Sequence, residues 1–328
     1  MQTRSLGSSG IETSPLGLGC WAIGGPFWVG DTPLSWGEVV DQESIAALRR
    51  GLDLGITFID TANVYGAGRS ERVVGAAVAG RRDEVVIATK FSSTFDETSR
   101  QTADPSDDPS YIRRACEASL RRLNTDRIDL YQYHWNDGPL ESAAAVQDTL
   151  EALVSEGEIR AYGWSTDFPD RARAWLGGAH YASVQHQLNV ITDAPAIIQV
   201  CEEAGLTSIN RGPLAMGLLT GKYTTGTTVT GADVRSAHSP EWMQYFKNGH
   251  PAEVWLDKLT QIREILTSGG RTLSQGALAW LWARSPCTLP IPEFRTVPQV
   301  EENAGALAFG PLTPDQMREI AGLLNPTT

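Results

Sequence analysis

Four polar residues, far apart along the chain, lie at the ends of apolar, strand-like segments. Asp60 and Tyr65 belong to ITFIDTANVY, Lys90 ends EVVIATK, and His134 ends IDLYQYH. A phenol beside an ammonium group, with an imidazole opposite, can move a proton near neutral pH. In a barrel of parallel strands, the carboxyl ends of all strands meet on one face. We therefore predict that Asp60, Tyr65, Lys90 and His134, hereafter the tetrad, form one acid–base site.

The chemistry of the tetrad follows from ordinary pKa values, which are about 10 for tyrosine and about 10.4 for lysine. We expect Lys90 to lower the pKa of Tyr65, because an ammonium group favours the phenolate, while Asp60 keeps Lys90 charged and oriented. Tyr65 then serves as a general acid or base, and His134 hydrogen-bonds a carbonyl oxygen. The sequence has neither a nucleophile motif nor metal-ligand spacing, so we expect no metal. A separate hydride carrier must then attack carbon.

Composition limits the class of protein. The chain has 328 residues, of which 41% are apolar and 20% charged, and a net charge of −12. This length suits one large α/β barrel or two smaller domains. Nucleic-acid binding is disfavoured because no basic block occurs. The opening MQTRSLGSSG lacks the apolar core of a secretory signal, no segment has the length of a membrane span, and the four cysteines form no close pair. We expect a cytoplasmic protein without membrane partners.

Short apolar segments alternate with amphipathic ones along the chain. The strand-like segments are PLGLG, TFID, EVVIATK, RIDLYQYH, IRAYGWS, YASVQHQ, LTSIN and CTLPI. Strict alternation favours a parallel sheet, and about eight units at this length favour closure into a (β/α)8 TIM barrel. We predict one such domain over residues 1–328, with an N-terminal β-hairpin that turns between Gly7 and Gly10. A doubly wound nucleotide-binding fold is rejected, because no helix opens on GLGCWAIGG.

Helix signals accompany these strands. Val146, Leu150 and Leu153 fall on one face of a helix. Asp108–Pro109 has the form of a helix start, a capping residue followed by a first-turn proline. Capping boxes are predicted at Thr272–Gln275, Thr296–Gln299 and Thr313–Gln316.

One long loop is predicted after the seventh strand. It runs from about residue 220 to 250, is rich in Thr, Gly and Ser, and contains Trp242, Tyr245 and Phe246. Loops of this length in compact domains are usually functional lids or disordered segments. Because it follows the seventh strand, we expect it to overhang the face that carries the tetrad.

The chain resembles the aldo-keto reductase family over nearly its whole length. The resembling segments occur in family order: LGLGCWAIGG, FIDTANVYGAGRSE, VVIATK, YQYHW, GWST, QHQLN, GPLAMGLLTGKY and IPEFRTVPQVEEN. The resemblance is greatest to the bacterial-type branch with a long loop after strand seven, which also includes potassium-channel beta subunits. It implies an NADP(H)-dependent oxidoreductase that interconverts an aldehyde or ketone and the alcohol, with NADH as a possible substitute.

The resemblance also implies roles for individual residues. Tyr65 would donate the proton, Lys90 and Asp60 would tune it, and His134 would orient the carbonyl. Ser165, Thr166 and Gln185 match positions that hold the nicotinamide carboxamide, and Arg295 matches a contact to the 2′-phosphate. The full cofactor set implied is Trp21, Asp60, Ser165, Thr166, Gln185, Arg211, Gly212, Leu214, Gly217, Leu218, Lys222, Phe294, Arg295, Gln299, Glu302 and Asn303.

The chain departs from the family at three of these places. Thr166 stands where the family usually has Asn, which alters or removes that carboxamide contact. Arg211 stands where many members place a tyrosine under the nicotinamide ring, and a guanidinium plane can also stack. Glu293 replaces a residue that is usually Gly or Lys, and a carboxylate beside a 2′-phosphate is unfavourable. Gln299 is interpreted equally as an adenine contact and as the capping residue.

Aromatic residues are expected at the mouth of the barrel. The predicted substrate pocket comprises Trp21, Phe27, Trp28, Tyr65, His134 and Trp135. Trp242 and Tyr245 from the long loop are further aromatic residues expected at the mouth. Such a lining favours an apolar, aromatic or ring-shaped carbonyl compound over a charged metabolite. Two other functions remain open: a regulatory subunit that binds the cofactor with little turnover, and a barrel lyase or isomerase without nicotinamide.

Overall fold

A computed structural model describes residues 3–324 and contains eight parallel strands in one sheet. The sheet closes into a barrel, because Gly19 pairs with Glu293 and its N–H donates to the Pro292 carbonyl at 3.1 Å. The barrel strands are β1 (Gly17–Gly19), β2 (Phe58–Asp60), β3 (Val86–Phe91), β4 (Ile128–Tyr133), β5 (Ile159–Ser165), β6 (Tyr181–Gln187), β7 (Thr207–Arg211) and β8 (Thr288–Pro290). The predicted (β/α)8 barrel is confirmed. Residues 1–2 and 325–328 of the predicted domain lie outside the described residues.

Helices surround this barrel, and we number them in chain order. They are α1 (Asp41–Asp53), α2 (Arg69–Val78), α3 (Pro109–Leu123), α4 (Ala143–Glu156), α5 (Pro169–Ala174), α6 (Pro195–Ala204), α7 (Glu253–Thr267), α8 (Leu273–Arg284), α9 (Val297–Gly305) and α10 (Pro314–Leu324). Between residues 3 and 324, none of the helices combines the length and apolar character that crossing a bilayer requires.

Helix starts follow the predicted chemistry at three of four positions. The Asp108 carboxylate accepts from the N–H groups of Ser110 and Tyr111. The Thr272–Gln275 box forms, and Thr313 and Gln316 exchange the same two hydrogen bonds. The box predicted at Thr296–Gln299 is wrong. Gln299 instead accepts from the Arg295 N–H at 2.7 Å, one residue before the expected donor, and Thr296 makes no side-chain cap.

The end of the barrel opposite the tetrad is closed by the predicted N-terminal hairpin, which pairs Arg4–Ser5 with Glu12–Thr13. Leu6 and Ile11 of this hairpin are buried in the barrel interior, where they join the inward-facing apolar side chains of the strands. The hairpin approaches so closely that a Cβ on Gly7 would lie 2.4 Å from the Ala182 carbonyl oxygen. The barrel interior is therefore packed with side chains, and its end opposite the tetrad, hereafter the lower end, is closed.

The long loop after β7 lies across the opposite end and is fixed at two places. Near its middle, the Val234 N–H donates to the Ser35 carbonyl at 2.6 Å, and Asp233 pairs with Trp36 in an antiparallel bridge. Arg235 strengthens this join, because its guanidinium binds Asp233 and stacks 4.3 Å from the Trp36 ring centre. The loop thus covers the face that carries the tetrad, as predicted.

The second anchor of the loop is Tyr245, which we expected among the aromatic residues of the barrel mouth. Tyr245 is buried, and its hydroxyl group meets the side chains of Gln187 at 2.6 Å, Asn189 at 2.8 Å and Thr192 at 2.9 Å. The Tyr245 hydroxyl group therefore anchors the loop, because the side chains of Gln187, Asn189 and Thr192 use its hydrogen-bonding capacity.

Replacing Tyr245 with phenylalanine is expected to lower the free energy of unfolding by about 1–3 kcal/mol, because buried amide donors lose their acceptor. Urea denaturation of the variant measures this loss. Tyr131→Phe is the matched control, since Tyr131 is equally buried and its hydroxyl has no hydrogen-bond partner among residues 3–324. Equal stability of the two variants would contradict the anchoring role of Tyr245.

Candidate active site

The structure brings the four residues of the tetrad together at the carboxyl ends of β2, β3 and β4. The Lys90 ammonium group donates to the Asp60 carboxylate at 2.6 Å, to the Thr61 carbonyl at 2.7 Å and to the Tyr65 hydroxyl at 3.3 Å. The His134 ring lies edge-on to the Tyr65 ring, with 5.9 Å between their centres. The Tyr65 hydroxyl is thus hydrogen-bonded to Lys90 on one side, and a further group can bind it on the side of His134.

The Asp60 carboxylate is held by more partners than the sequence analysis foresaw. Its Oδ1 atom accepts from the amide groups of Gln132 at 3.1 Å and Gln185 at 2.7 Å, while Oδ2 accepts from Lys90. Gln132 was missed as a site residue. The sequence did indicate Gln132, because this residue lies two positions before His134 and therefore faces the same side of the strand. These three contacts hold the Asp60 carboxylate in place beside the Lys90 ammonium group.

The predicted lowering of the Tyr65 pKa is wrong for this structure. Burial raises the pKa of Tyr65 well above its usual range, and the negative charges of Asp60 and Glu293 raise it further, against an opposing effect of Arg211. These effects exceed any lowering by Lys90, whose ammonium group is paired with Asp60 at 2.6 Å. Tyr65 therefore carries its proton at neutral pH, which suits a proton donor.

His134 has the opposite shift. Burial lowers the pKa of His134 well below its usual value, and the positive charges of Lys90 and Arg211 act in the same direction. The imidazole is therefore neutral near pH 7, and its Nδ1 atom is buried without a hydrogen-bond partner among the described residues. A neutral imidazole has one N–H donor and one acceptor, so it can hydrogen-bond a carbonyl oxygen without protonating it.

The residues matched to the nicotinamide carboxamide lie at the ends of β5, β6 and β7. Ser165 and Gln185 are buried, and Gln185 already donates to Asp60. Thr166 is buried as well, and its hydroxyl donates to the Asn136 carbonyl at 2.5 Å. Arg211 forms an ion pair with Asp167 at the rim. Asp167 is a second residue that sequence reasoning missed.

The segment matched to the pyrophosphate turns sharply after β7. Gly212 and Gly217 have positive φ angles of 61° and 87°, and Ala215 and Met216 between them are also left-handed. Such conformations strain residues other than glycine and cluster at ligand clamps. The remaining matched residues are Leu214 and Leu218, which are buried, and Lys222, whose ammonium lies 4.9 Å from the Tyr223 ring centre.

The residues matched to adenosine form a separate group at the start of α9. Arg295 donates to the carbonyl oxygens of Trp36, at 2.9 Å, and Glu38, and no carboxylate pairs with it in the part of the chain that the structure describes. Phe294 and Asn303 are buried, and the Glu302 carbonyl accepts from Gln275 at 3.1 Å. A guanidinium without a carboxylate partner, just before a helix N-terminus, fits a phosphate group.

Aromatic side chains form the rim above the tetrad. The Trp21 ring is stacked 6.1 Å from Tyr65 and lies 6.2 Å from Trp242 of the long loop. The other predicted pocket residues are less directly placed. Phe27 is buried against Ala62 and Val64, Trp28 is half-buried in a short strand pair, and Trp135 packs 6.4 Å from Tyr133.

Comparison with known proteins agrees with this geometry. The model of the Aldo/keto reductase family matches residues 15–325, so the chain belongs to the aldo/keto reductase family of oxidoreductases. Aldo-keto reductase YhdN of Bacillus subtilis is 35% identical over 286 residues, which cover 86% of this chain and 81% of that protein. The family resemblance seen in the sequence is thereby confirmed.

Solved structures share the fold over the whole chain. Aldo-keto reductase AKR11C1 from Bacillus halodurans superposes with a TM-score of 0.79 at 27% identity, covering 100% of this chain and 98% of its own. An aldo/keto reductase from Klebsiella pneumoniae, in complex with NADP and acetate, has a TM-score of 0.70 at 27% identity, covering 100% and 97%. These neighbours have the same barrel, and the second binds NADP.

Proposed function

We propose that this protein is an NADP(H)-dependent oxidoreductase that interconverts an aldehyde or ketone and the corresponding alcohol. The observation that carries the proposal is the Tyr65 hydroxyl, which keeps its proton at neutral pH and is hydrogen-bonded to Lys90 at 3.3 Å. A neutral His134 stands beside it. A protonated phenol next to a neutral imidazole suits the delivery of a proton to a carbonyl oxygen.

The roles of the tetrad follow from this arrangement. His134 donates a hydrogen bond to the substrate carbonyl and holds its oxygen next to the Tyr65 hydroxyl. Tyr65 then transfers its proton to that oxygen as negative charge develops there. Lys90, fixed by Asp60, stabilises the phenolate that remains. In the reverse direction, the same phenolate removes the proton of the alcohol.

The residues at the two ends of the barrel mouth fit the two ends of the cofactor, the nicotinamide and the 2′-phosphate. A bound nicotinamide supplies the hydride for the carbonyl carbon. Ser165, Gln185 and Arg211 would hold its ring end, and the turn from Gly212 to Leu218 would hold the pyrophosphate. Arg295 would bind the 2′-phosphate, which favours NADPH over NADH, because a guanidinium matches a phosphate in charge and geometry.

The aromatic rim supports a substrate class. Trp21 is stacked 6.1 Å from the Tyr65 ring, and Trp242 lies 6.2 Å from Trp21, so the surface next to Tyr65 is flat and apolar. The nearest cation at the rim, Arg211, is already paired with Asp167. We therefore propose aromatic or other ring-shaped carbonyl compounds in preference to charged metabolites.

The test is a spectrophotometric assay of the purified protein with NADPH and an activated aromatic aldehyde. Many turnovers per protein molecule are expected, with a larger kcat/KM for NADPH than for NADH. An aliphatic aldehyde that carries a carboxylate is the matched comparison, and it should react more slowly. Tight NADPH binding without multiple turnovers on any carbonyl or alcohol would contradict the proposal and favour a regulatory subunit instead.

A further inference from the structure

Glu293 lies just beyond β8, and its side chain faces the interior of the barrel. Leu289 and Ile291, which precede it at intervals of two residues, both belong to the apolar cluster inside the barrel. Because alternate residues of an extended segment face the same side, Glu293 points toward the tetrad. It is therefore the last inward-facing residue of this strand at the catalytic end.

Because Gly19 has no side chain, it leaves space for the side chain of Glu293. A Cβ on Gly19 would lie 3.2 Å from the Glu293 Cγ atom and 2.6 Å from the Ile291 carbonyl oxygen. Gly19 pairs with Glu293 on one side and with Asp60 on the other. Two carboxyl groups thus flank one glycine in the same layer of the barrel, and only one of them has a cation bound to it.

The two carboxyl groups differ in their partners. Asp60 accepts three hydrogen bonds from Lys90, Gln132 and Gln185. The Oε2 atom of Glu293 is buried and has no hydrogen-bond partner among residues 3–324. Burial and the charge of Asp60 raise the pKa of Glu293 to about 8. Glu293 is therefore mostly neutral at pH 7 and ionised above pH 8.

The charged and titratable groups around Glu293 come from several elements. Lys90, a backbone hydrogen bond from Ala22 and Arg235 oppose the rise in its pKa. Glu293 in turn raises the pKa values of Tyr65 and Cys20. Glu293 and Asp60 flank Gly19, and Lys90 joins Asp60 at 2.6 Å to the Tyr65 hydroxyl at 3.3 Å, so the Glu293 charge lies near the site of proton transfer. On the proposed function, the nicotinamide ring also lies there, because the proton and the hydride go to adjacent atoms of one carbonyl group.

The charge of the nicotinamide ring depends on the redox state of the cofactor. The nicotinamide ring is a cation when oxidised and neutral when reduced, whereas the phosphate charges are the same in both forms. We propose that Glu293 makes the relative affinity for oxidised and reduced cofactor depend on pH, its carboxylate form favouring NADP+. This inference rests on the proposed function only for the position of the nicotinamide.

The experiment measures the dissociation constants of NADPH and NADP+ by calorimetric titration from pH 6.5 to 9.5. In the unmodified protein, the ratio of the NADPH constant to the NADP+ constant is expected to rise about tenfold across this range, as a nearby added charge requires. In Glu293→Gln, which keeps the shape but cannot ionise, the ratio should stay constant. Glu156→Gln, an exposed carboxylate on α4 paired with Arg113, is the matched control and should behave as the unmodified protein.

Glu293→Asp separates the charge from a structural effect, because it keeps a carboxyl group and should retain a pH-dependent ratio. A constant ratio in the unmodified protein, or the same rise in Glu293→Gln, would overturn the inference. Parallel weakening of both cofactors with pH would also overturn it, since the charge would then act on the phosphates. These measurements need no carbonyl substrate. Binding without turnover therefore rejects the proposed function alone, and failure to bind either dinucleotide rejects both.

Discussion

Tyr65→Phe is expected to reduce kcat for carbonyl reduction by at least about 10²–10⁴-fold, the usual contribution of a positioned general acid. The substitution removes only the hydroxyl group, which is the proposed proton source beside His134. Lys90 retains its bonds to Asp60 and to the Thr61 carbonyl, so the buried ion pair remains intact. The loss should therefore appear in turnover and not in folding.

Single-turnover and steady-state kinetics of Tyr65→Phe provide the measurement, with the dissociation constant of NADPH as the internal control. That constant should change by less than about threefold, because the hydroxyl group is assigned to the carbonyl oxygen. Tyr131→Phe removes another buried hydroxyl from the protein and should retain full activity. Turnover of Tyr65→Phe within a few-fold of the unmodified protein would reject Tyr65 as the proton donor.

Lys90→Met should show the largest effect on stability. Lys90 and Asp60 form an ion pair at 2.6 Å, with their side chains 0% and 3% exposed. Removing the ammonium group leaves a buried carboxylate without its cation, which costs about 3–5 kcal/mol. Turnover should be lost as well, because no charge remains to stabilise the Tyr65 phenolate. Chemical denaturation and the reductase assay measure the two losses.

A double variant tests the cause of that instability. Adding Asp60→Asn to Lys90→Met removes the stranded charge, so the double variant should be more stable than Lys90→Met alone, yet remain inactive. The exposed pair Arg50–Glu301, at 2.8 Å, gives a contrast, and Arg50→Met should cost less than about 1 kcal/mol. A double variant less stable than Lys90→Met would show that packing, and not charge, dominates this site.

The positions of the main elements could be predicted from the sequence, because they depend on short-range patterns. The eight strands are short segments that alternate with amphipathic helices, and Asp108–Pro109 has the usual form of a helix start, so both predictions hold in the structure. The tetrad could be predicted as well, since its four residues follow consecutive strand ends that converge in any parallel barrel. These inferences need only the order of residues along the chain.

The wrong predictions concern groups that had more than one available interaction partner. The sequence does not show which of these partners prevails. Gln299 had two available N–H donors one residue apart and bonds Arg295 instead of Thr296. Tyr245 was placed at the mouth for its aromatic ring, but three polar side chains engage its hydroxyl group. The pKa of Tyr65 rises because burial and the negative charges of Asp60 and Glu293 exceed the opposing effect of Arg211. Each outcome depends on distances between residues remote in sequence.

The hairpin that fills the lower end of the barrel has a kinetic consequence. Since Leu6 and Ile11 fill that end, molecules that reach Tyr65 approach from the face under the long loop. On the proposed function, cofactor, substrate and product all use this face, so a bound product obstructs the next substrate. We expect product inhibition measurements to detect this obstruction.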